Sequence, residues 1–168
     1  MSDFLLPELL VSKAREVVET NRRAGRRVAV AESCTGGLVS AAITEIPGSS
    51  EMFEAGYVTY SNAAKMAELN VSQDVVETFG AVSVATAWAM AQGALEASGA
   101  DIAGAITGIA GPDGGTEQKP VGTVVFARAE RRPGPDEIVA DQKLFDAKEG
   151  RSGIRLQAAL CALELLMP

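Results

Sequence analysis

Histidine is absent from the 168 residues of this chain. That excludes a Ser-His-Asp triad and removes the commonest protein ligand for zinc. Two cysteines, Cys34 and Cys161, are too few for a disulfide scaffold and show no paired metal-ligand spacing. They read as reduced thiols of a cytoplasmic protein. Composition alone leaves a carboxylate-bound magnesium ion open. Aromatic residues make up 5% of the chain, so the core is expected to pack small aliphatic side chains. No apolar run reaches membrane-spanning length, and the N-terminus lacks a signal-peptide layout. Positive charge is also in short supply. A net charge of −7 disfavours nucleic acid as a primary partner, because binding a phosphate backbone needs a basic face. Arg22-Arg23, Arg26-Arg27 and Arg131-Arg132 flank expected turns and read as solvated loop edges.

The length suits one domain, residues 1–168, with a real core. Leu10, Ala14 and Val17 recur at helical spacing in a first helix from about Pro7 to Asn21, closed by Gly25. Val28–Ala31 reads as a short strand. Leu38–Glu45 forms a helix that Pro47-Gly48 ends. Phe53–Tyr60 reads as a second strand with a bulge at Gly56, and Ser61 or Asn62 caps a helix through Leu69. Ser83 caps a longer helix with the stripe Val84, Trp88, Ala91 and Leu95, ended by Gly99. Ile102–Ile109 and Thr123–Ala129 read as strands, with a glycine- and proline-rich loop from Gly111 to Pro120 between them. Glu137–Phe145 is expected as a hairpin partner across a turn at 131–136. The last helix starts near Gly150 with the stripe Ile154, Ala158, Cys161, Leu165. Helices alternate with strands early and strands cluster late, which predicts a three-layer α/β/α domain with a mixed sheet. The first few residues, the 111–120 loop and the 131–136 turn are expected to be the least ordered.

The most informative stretch is Val28-Ala29-Val30-Ala31-Glu32-Ser33-Cys34-Thr35-Gly36-Gly37-Leu38. A buried strand ends in a polar hinge and passes at once into a helix. Unpaired N–H groups at such a hinge suit an exposed nucleophile or an anion. Ser33 or Thr35 can equally be a simple helix cap. A nucleophilic serine in a histidine-free chain needs a lysine, a tyrosinate or a carboxylate as its base. Lys65 is such a base if Ser61 or Asn62 caps its helix. The helix dipole and partial burial would then both lower the lysine pKa. Tyr60 could relay the proton between the two, while the bland alternative is a solvated lysine beside a core-edge tyrosine.

A third cluster is Thr107-Gly108-Ile109-Ala110-Gly111-Pro112-Asp113-Gly114-Gly115, which follows an apolar strand. It can present backbone N–H groups to a ligand, or it can be a plain turn. It lacks the phosphate-loop and dinucleotide fingerprints. Ser33, Tyr60 and Thr107 each fall near a strand's carboxyl end, where α/β sheets collect their ligands. Arg151 and Arg155 sit one turn apart at the start of the last helix and can share a face; either could hold a phosphate.

Together these residues resemble the CinA C-terminal domain family. The resemblance rests on Glu32-Ser33-Cys34-Thr35-Gly36-Gly37, Tyr57-Val58-Thr59-Tyr60-Ser61-Asn62 with Lys65, Gly80-Ala81-Val82-Ser83, the Thr107–Gly115 run and Lys119-Pro120-Val121-Gly122-Thr123-Val124. It implies a nicotinamide-nucleotide amidase that converts nicotinamide mononucleotide to nicotinate mononucleotide and ammonia. It implies Ser33, Tyr60 and Lys65 as catalytic residues, with no metal or cofactor. Backbone N–H groups around Thr35 and Gly36 are expected to hold the oxyanion. Thr107, Gly108 and Gly111 are expected to position ring and ribose, and Arg151, rather than Arg155, the phosphate. A nucleotide substrate and a homodimer are the expected partners. The alternative is a non-catalytic nucleotide-binding or regulatory interaction domain linked to competence and DNA damage. The chain is also expected to lack the N-terminal domain of larger family members.

Overall fold

The computed structural model describes residues 3–132 and 137–168. Of the expected 131–136 turn, only Arg131 and Arg132 fall inside the described residues. In chain order the elements are α1 (Glu8–Arg23), β1 (Val28–Glu32), α2 (Leu38–Thr44), β2 (Phe53–Val58), α3 (Asn62–Leu69), α4 (Gln73–Phe79), α5 (Val84–Ser98), β3 (Ile102–Gly108), β4 (Thr123–Glu130), β5 (Val139–Leu144) and α6 (Gly150–Leu165). Among the described residues no helix is long and apolar enough to cross a membrane.

The strands form one sheet in the order β2-β1-β3-β4-β5. β1 pairs in parallel with β2 and β3, while β3–β4 and β4–β5 are antiparallel. This is the mixed sheet that the early alternation and late strand cluster predict. The two faces differ in side-chain size because residues alternate along a strand. Val28, Val30, Ile102, Ile106, Val124 and Phe126 pack against α1, α2 and α6. Ala29, Ala31, Ala103, Ala105, Ala127 and Ala129 face α5. Helix α5 meets that alanine face with Ala87, Met90, Ala91, Ala94 and Leu95. The expected stripe is therefore rotated. Val84 is exposed and Trp88 half-buried, because alanines, not the larger residues, fit a close helix–sheet approach. In α6, Ile154 and Ala158 are buried as expected, but Ala159, Ala162 and Leu163 complete the face in place of Cys161 and Leu165, which are half-buried.

The bulge is also displaced. The register between β1 and β2 slips between Val28 and Ala29, which pair with Phe53 and Ala55, so the extra residue is Glu54 and not Gly56. Gly56 has another reason to lack a side chain, since a β-carbon there would overlap the Ser40 hydroxyl of α2. The short α4 has no apolar stripe to betray it; of its residues only Val76 is buried. The 111–120 loop is pinned across itself, with the Thr116 N–H donating to the Lys119 carbonyl at 2.8 Å. Lys119 Nζ anchors it to the Phe79 carbonyl at 2.9 Å.

Gly93 of α5 lies under α3, where a β-carbon would overlap the Leu69 carbonyl. Backbone cannot yield as a side-chain tip can. Gly93→Ala is therefore expected to lower the unfolding free energy by about 1–3 kcal/mol through overpacking, read as an earlier urea midpoint at unchanged m-value. An unshifted midpoint would show that α3 can move freely.

Candidate active site

The parallel strands bring their carboxyl ends to one side of the sheet. The chain runs from β1 out to β2, then returns past β1 to β3, so β1 sits where the strand order reverses. A crevice forms at such a point. β1 ends in Glu32, which is fully buried. Its carboxylate accepts the N–H groups of Val39 (2.9 Å) and Ser40 (3.0 Å) and the Ser40 hydroxyl (2.7 Å). These bonds pull the start of α2 back over the strand end and set the hinge. The Ser33 N–H donates to the Ile106 carbonyl at 2.9 Å, carrying the β1–β3 pairing one residue further. Ser33 is thus held by sheet bonding rather than on a free loop.

On the other side, the Thr59 N–H donates to the Glu32 carbonyl at 2.9 Å. Ser61 caps α3, its Oγ accepting the Ala64 N–H at 3.0 Å. Lys65 follows in the first turn and is 1% exposed. Its Nζ donates to Ser33 Oγ at 3.1 Å, to the Thr59 carbonyl at 2.9 Å and to the Tyr60 carbonyl at 3.1 Å. Among the described residues no carboxylate pairs with it. Burial pushes the Lys65 amine below its ordinary value of 10.5, with the Cys34 thiol group opposing weakly. Cys34 itself is pushed up to about 11, mainly by burial. At neutral pH it is a thiol, which leaves the Ser33 hydroxyl as the candidate nucleophile at this hinge.

Tyr60 does not stand between Lys65 and Ser33, as the relay would require. The amine reaches the serine directly. Tyr60 is 58% exposed, and its phenol oxygen accepts Arg151 Nη2 at 2.8 Å. What Tyr60 brings to the pair is its carbonyl, 3.1 Å from Lys65 Nζ and 3.5 Å from Ser33 Oγ. The reason is that the chain leaves β2 at Val58 and has turned before Tyr60.

Ser33, Tyr60, Lys65, Thr107, Gly108 and Arg151 line one cavity of about 180 Å³. Cys34, Asn62, Ala81, Val82 and Ala110 complete its wall. Thr107 donates its hydroxyl to the Ala81 carbonyl at 2.8 Å, tying the 80–83 segment to the end of β3. Ser83 and Thr86 lock the same segment through the Gly80 carbonyl, at 2.9 and 2.7 Å. The Ser83 cap was legible, but not that its segment walls the site. At Gly108 a β-carbon would crowd the Thr123 carbonyl at 2.9 Å and the Cys34 sulfur at 3.1 Å. Only glycine lets these elements close together.

Thr35, Gly36 and Gly111 are off the cavity wall. The Gly111 carbonyl accepts Arg151 Nη1 at 2.7 Å. The Gly36 N–H is taken by the Ser33 carbonyl at 3.0 Å, so it is not free for an oxyanion, contrary to expectation. Among the described residues the N–H groups of Cys34 and Thr35 donate to nothing. Arg155 turns from the cavity to the hinge carbonyls of Cys34 (3.1 Å) and Thr35 (3.0 Å). A larger hollow of about 400 Å³ lies between β5 and α6, lined in part by Arg128, Lys143, Cys161 and Glu164. It holds no hydroxyl–amine pair, so chemistry and not size selects the site. Among the described residues no group of three Cys, Asp or Glu side chains could hold a metal ion.

The model of the CinA C-terminal domain matches residues 11–168. The chain belongs to this family. It is 46% identical over 168 residues to nicotinamide-nucleotide amidohydrolase PncC of Enterobacter agglomerans, covering 98% of this chain and 94% of that protein. It is 49% identical over 143 residues to a CinA-like protein of Mycobacterium avium, covering 85% of this chain but 33% of that protein. The chain spans about a third of the length of several such longer curated relatives. The crystal structure of the competence/damage inducible protein CihA from Agrobacterium tumefaciens superposes with a TM-score of 0.91 at 44% identity, covering 99% of this chain and 97% of that one. The mixed α/β architecture is thus common to this chain and to solved members of its family.

Proposed function

We propose that this chain hydrolyses the carboxamide of nicotinamide mononucleotide, giving nicotinate mononucleotide and ammonia. The observation that carries the reading is the 3.1 Å contact between Lys65 Nζ and Ser33 Oγ inside a small cavity. A neutral amine has two N–H donors and one lone pair. The carbonyls of Thr59 and Tyr60 take the two donors, which leaves the lone pair for the Ser33 hydroxyl. Once protonated, the ammonium has three donors for the same three oxygens. Both states of the base are therefore satisfied, and proton transfer needs no rearrangement.

In the reaction, Lys65 takes the Ser33 proton as Oγ attacks the carboxamide carbon. The N–H of Cys34, on the cavity wall, holds the developing oxyanion, aided by the unpartnered N–H of Thr35 just behind that wall. Lys65 returns the proton to the amine, the C–N bond breaks and ammonia leaves. Water, deprotonated by Lys65, then cleaves the nicotinoyl ester and Ser33 recovers its proton. The cavity is smaller than the roughly 300–1,000 Å³ of a pocket that engulfs a drug-sized ligand. It suits the pyridine ring, leaving ribose and phosphate on the rim where Arg151 stands.

Ammonia release from nicotinamide mononucleotide by the purified protein is the deciding measurement. A binding domain without turnover yields none, and a panel of other amides separates a different amidase. Arg151→Ala is expected to raise KM for the nucleotide roughly 10- to 100-fold, the worth of a charge-assisted hydrogen bond. The preference over nicotinamide riboside should narrow by the same factor. An unchanged preference would place the phosphate elsewhere.

A further inference from the structure

We propose that Arg155 is a positioning residue for the oxyanion-holding amides of the hinge. The inference rests on the amidase reading above. Arg155 lies one turn beyond Arg151 on α6 and is half-buried. It grips two consecutive carbonyls, those of Cys34 through Nε at 3.1 Å and Thr35 through Nη2 at 3.0 Å. In a trans peptide the N–H of the next residue points opposite to the carbonyl. The hold on the Cys34 carbonyl therefore turns the Thr35 N–H away from the guanidinium. The hold on the Thr35 carbonyl turns the Gly36 N–H the same way, where it closes on the Ser33 carbonyl at 3.0 Å. That bond in turn directs the Cys34 N–H outward from the turn. The N–H groups of Cys34 and Thr35 are thus oriented by a side chain 120 residues away in the chain, which shares the Thr35 carbonyl with the Leu38 N–H at 3.1 Å.

Two further observations agree. Gly36, at φ +57°, lies under the guanidinium, with Arg155 Nη2 3.4 Å from where a β-carbon would stand. Among the described residues no carboxylate pairs with Arg155. Its charge is spent on the hinge peptides, and a cation on a carbonyl strengthens the N–H of the same peptide as a donor.

Steady-state kinetics of Arg155→Met, Arg155→Lys and Arg155→Ala, on nicotinamide mononucleotide and its riboside, test the assignment. For Arg155→Met kcat is expected to fall about 10- to 100-fold, less than or equal to the loss of a direct oxyanion donor. The factor should be the same for both substrates, with KM changed less than about twofold. Arg155→Lys, which keeps the charge but not the fork, should fall between Arg155→Met and the wild type. Millimolar guanidinium should restore part of the kcat of Arg155→Ala without altering KM. Wild-type kcat in Arg155→Met would overturn the assignment, as would a KM rise confined to the phosphorylated substrate, which marks a phosphate contact instead. Should Arg155→Met fail to fold, full activity in Arg155→Lys would overturn it equally. A wild-type protein that releases no ammonia rejects the amidase reading and this role with it. Wild-type turnover that Arg155 variants leave intact rejects this role alone.

Discussion

Ser33→Ala is expected to abolish ammonia release from nicotinamide mononucleotide, a loss of roughly 10³-fold or more. The hydroxyl sits in the cavity wall 3.1 Å from the buried Lys65 Nζ. The neighbouring thiol is protonated at neutral pH, with its pKa pushed up to about 11 by burial, so it cannot take over. The fold should barely notice. Ser33 is held by its own N–H on the Ile106 carbonyl, and the side chain contributes nothing to that bond. Lys65 keeps its two carbonyl acceptors. The stability change should therefore stay within about 1 kcal/mol, the net worth of one hydrogen bond. Calorimetric binding of the nucleotide should persist. Retained turnover in this variant would remove the serine from the mechanism.

Lys65→Met should be equally damaging to turnover, again roughly 10³-fold or more, because it removes the proposed base, which touches the serine. Its distinguishing mark is pH dependence. The Lys65 pKa in the folded chain lies below its ordinary 10.5 because of burial. In the proposed mechanism the neutral amine is the active form, so wild-type kcat/KM is expected to rise with pH until that depressed pKa is passed, then level. Any residual activity of Lys65→Met should lack this rise. Stability follows the same sign. Between the folded pKa and 10.5 the unfolded chain binds the proton that the folded chain has released. Wild-type stability from this group is thus fully present above 10.5 and is lost as pH falls through the folded pKa. Below it both states are charged, and the penalty of burying the ammonium is constant. Urea midpoints from pH 7 to 10 should show the alkaline gain in the wild type and not in Lys65→Met. Parallel curves for the two proteins would show that Lys65 titrates alike in both states.

The hinge after β1, a cap at Ser61 or Asn62 and the lysine one turn beyond it were legible before any contact was known. Each is a local pattern: an apolar run ending in polar residues, or a hydroxyl three residues before a helical N–H. The mixed sheet was legible for a similar reason, since early strands alternate with helices and late strands cluster, but the parallel pairing of β1 with β2 and β3 came from the structure. Other features were out of reach because they depend on depth and register. Arg151 and Arg155 share a helix face, yet one lines the cavity and the other grips hinge carbonyls. Their difference is one turn of α6 measured against the sheet edge. Tyr60 was legible as a site residue, but whether its phenol or its carbonyl meets Lys65 depends on where β2 stops. Glu32 gave no signal of its role until α2 was folded back over it.

By itself, then, the order of residues determined which groups are available: a histidine-free set in which a lysine, a tyrosinate or a carboxylate must serve a hydroxyl, on elements set by periodicity and caps. Tertiary structure alone decided which oxygens that amine faces, which hinge amides stay free and which arginine reaches the cavity. The physical reason is range. Periodicity and capping act within a few residues, whereas the Ser33–Lys65 and Arg155–hinge contacts join segments 32 and 120 residues apart through one packed sheet.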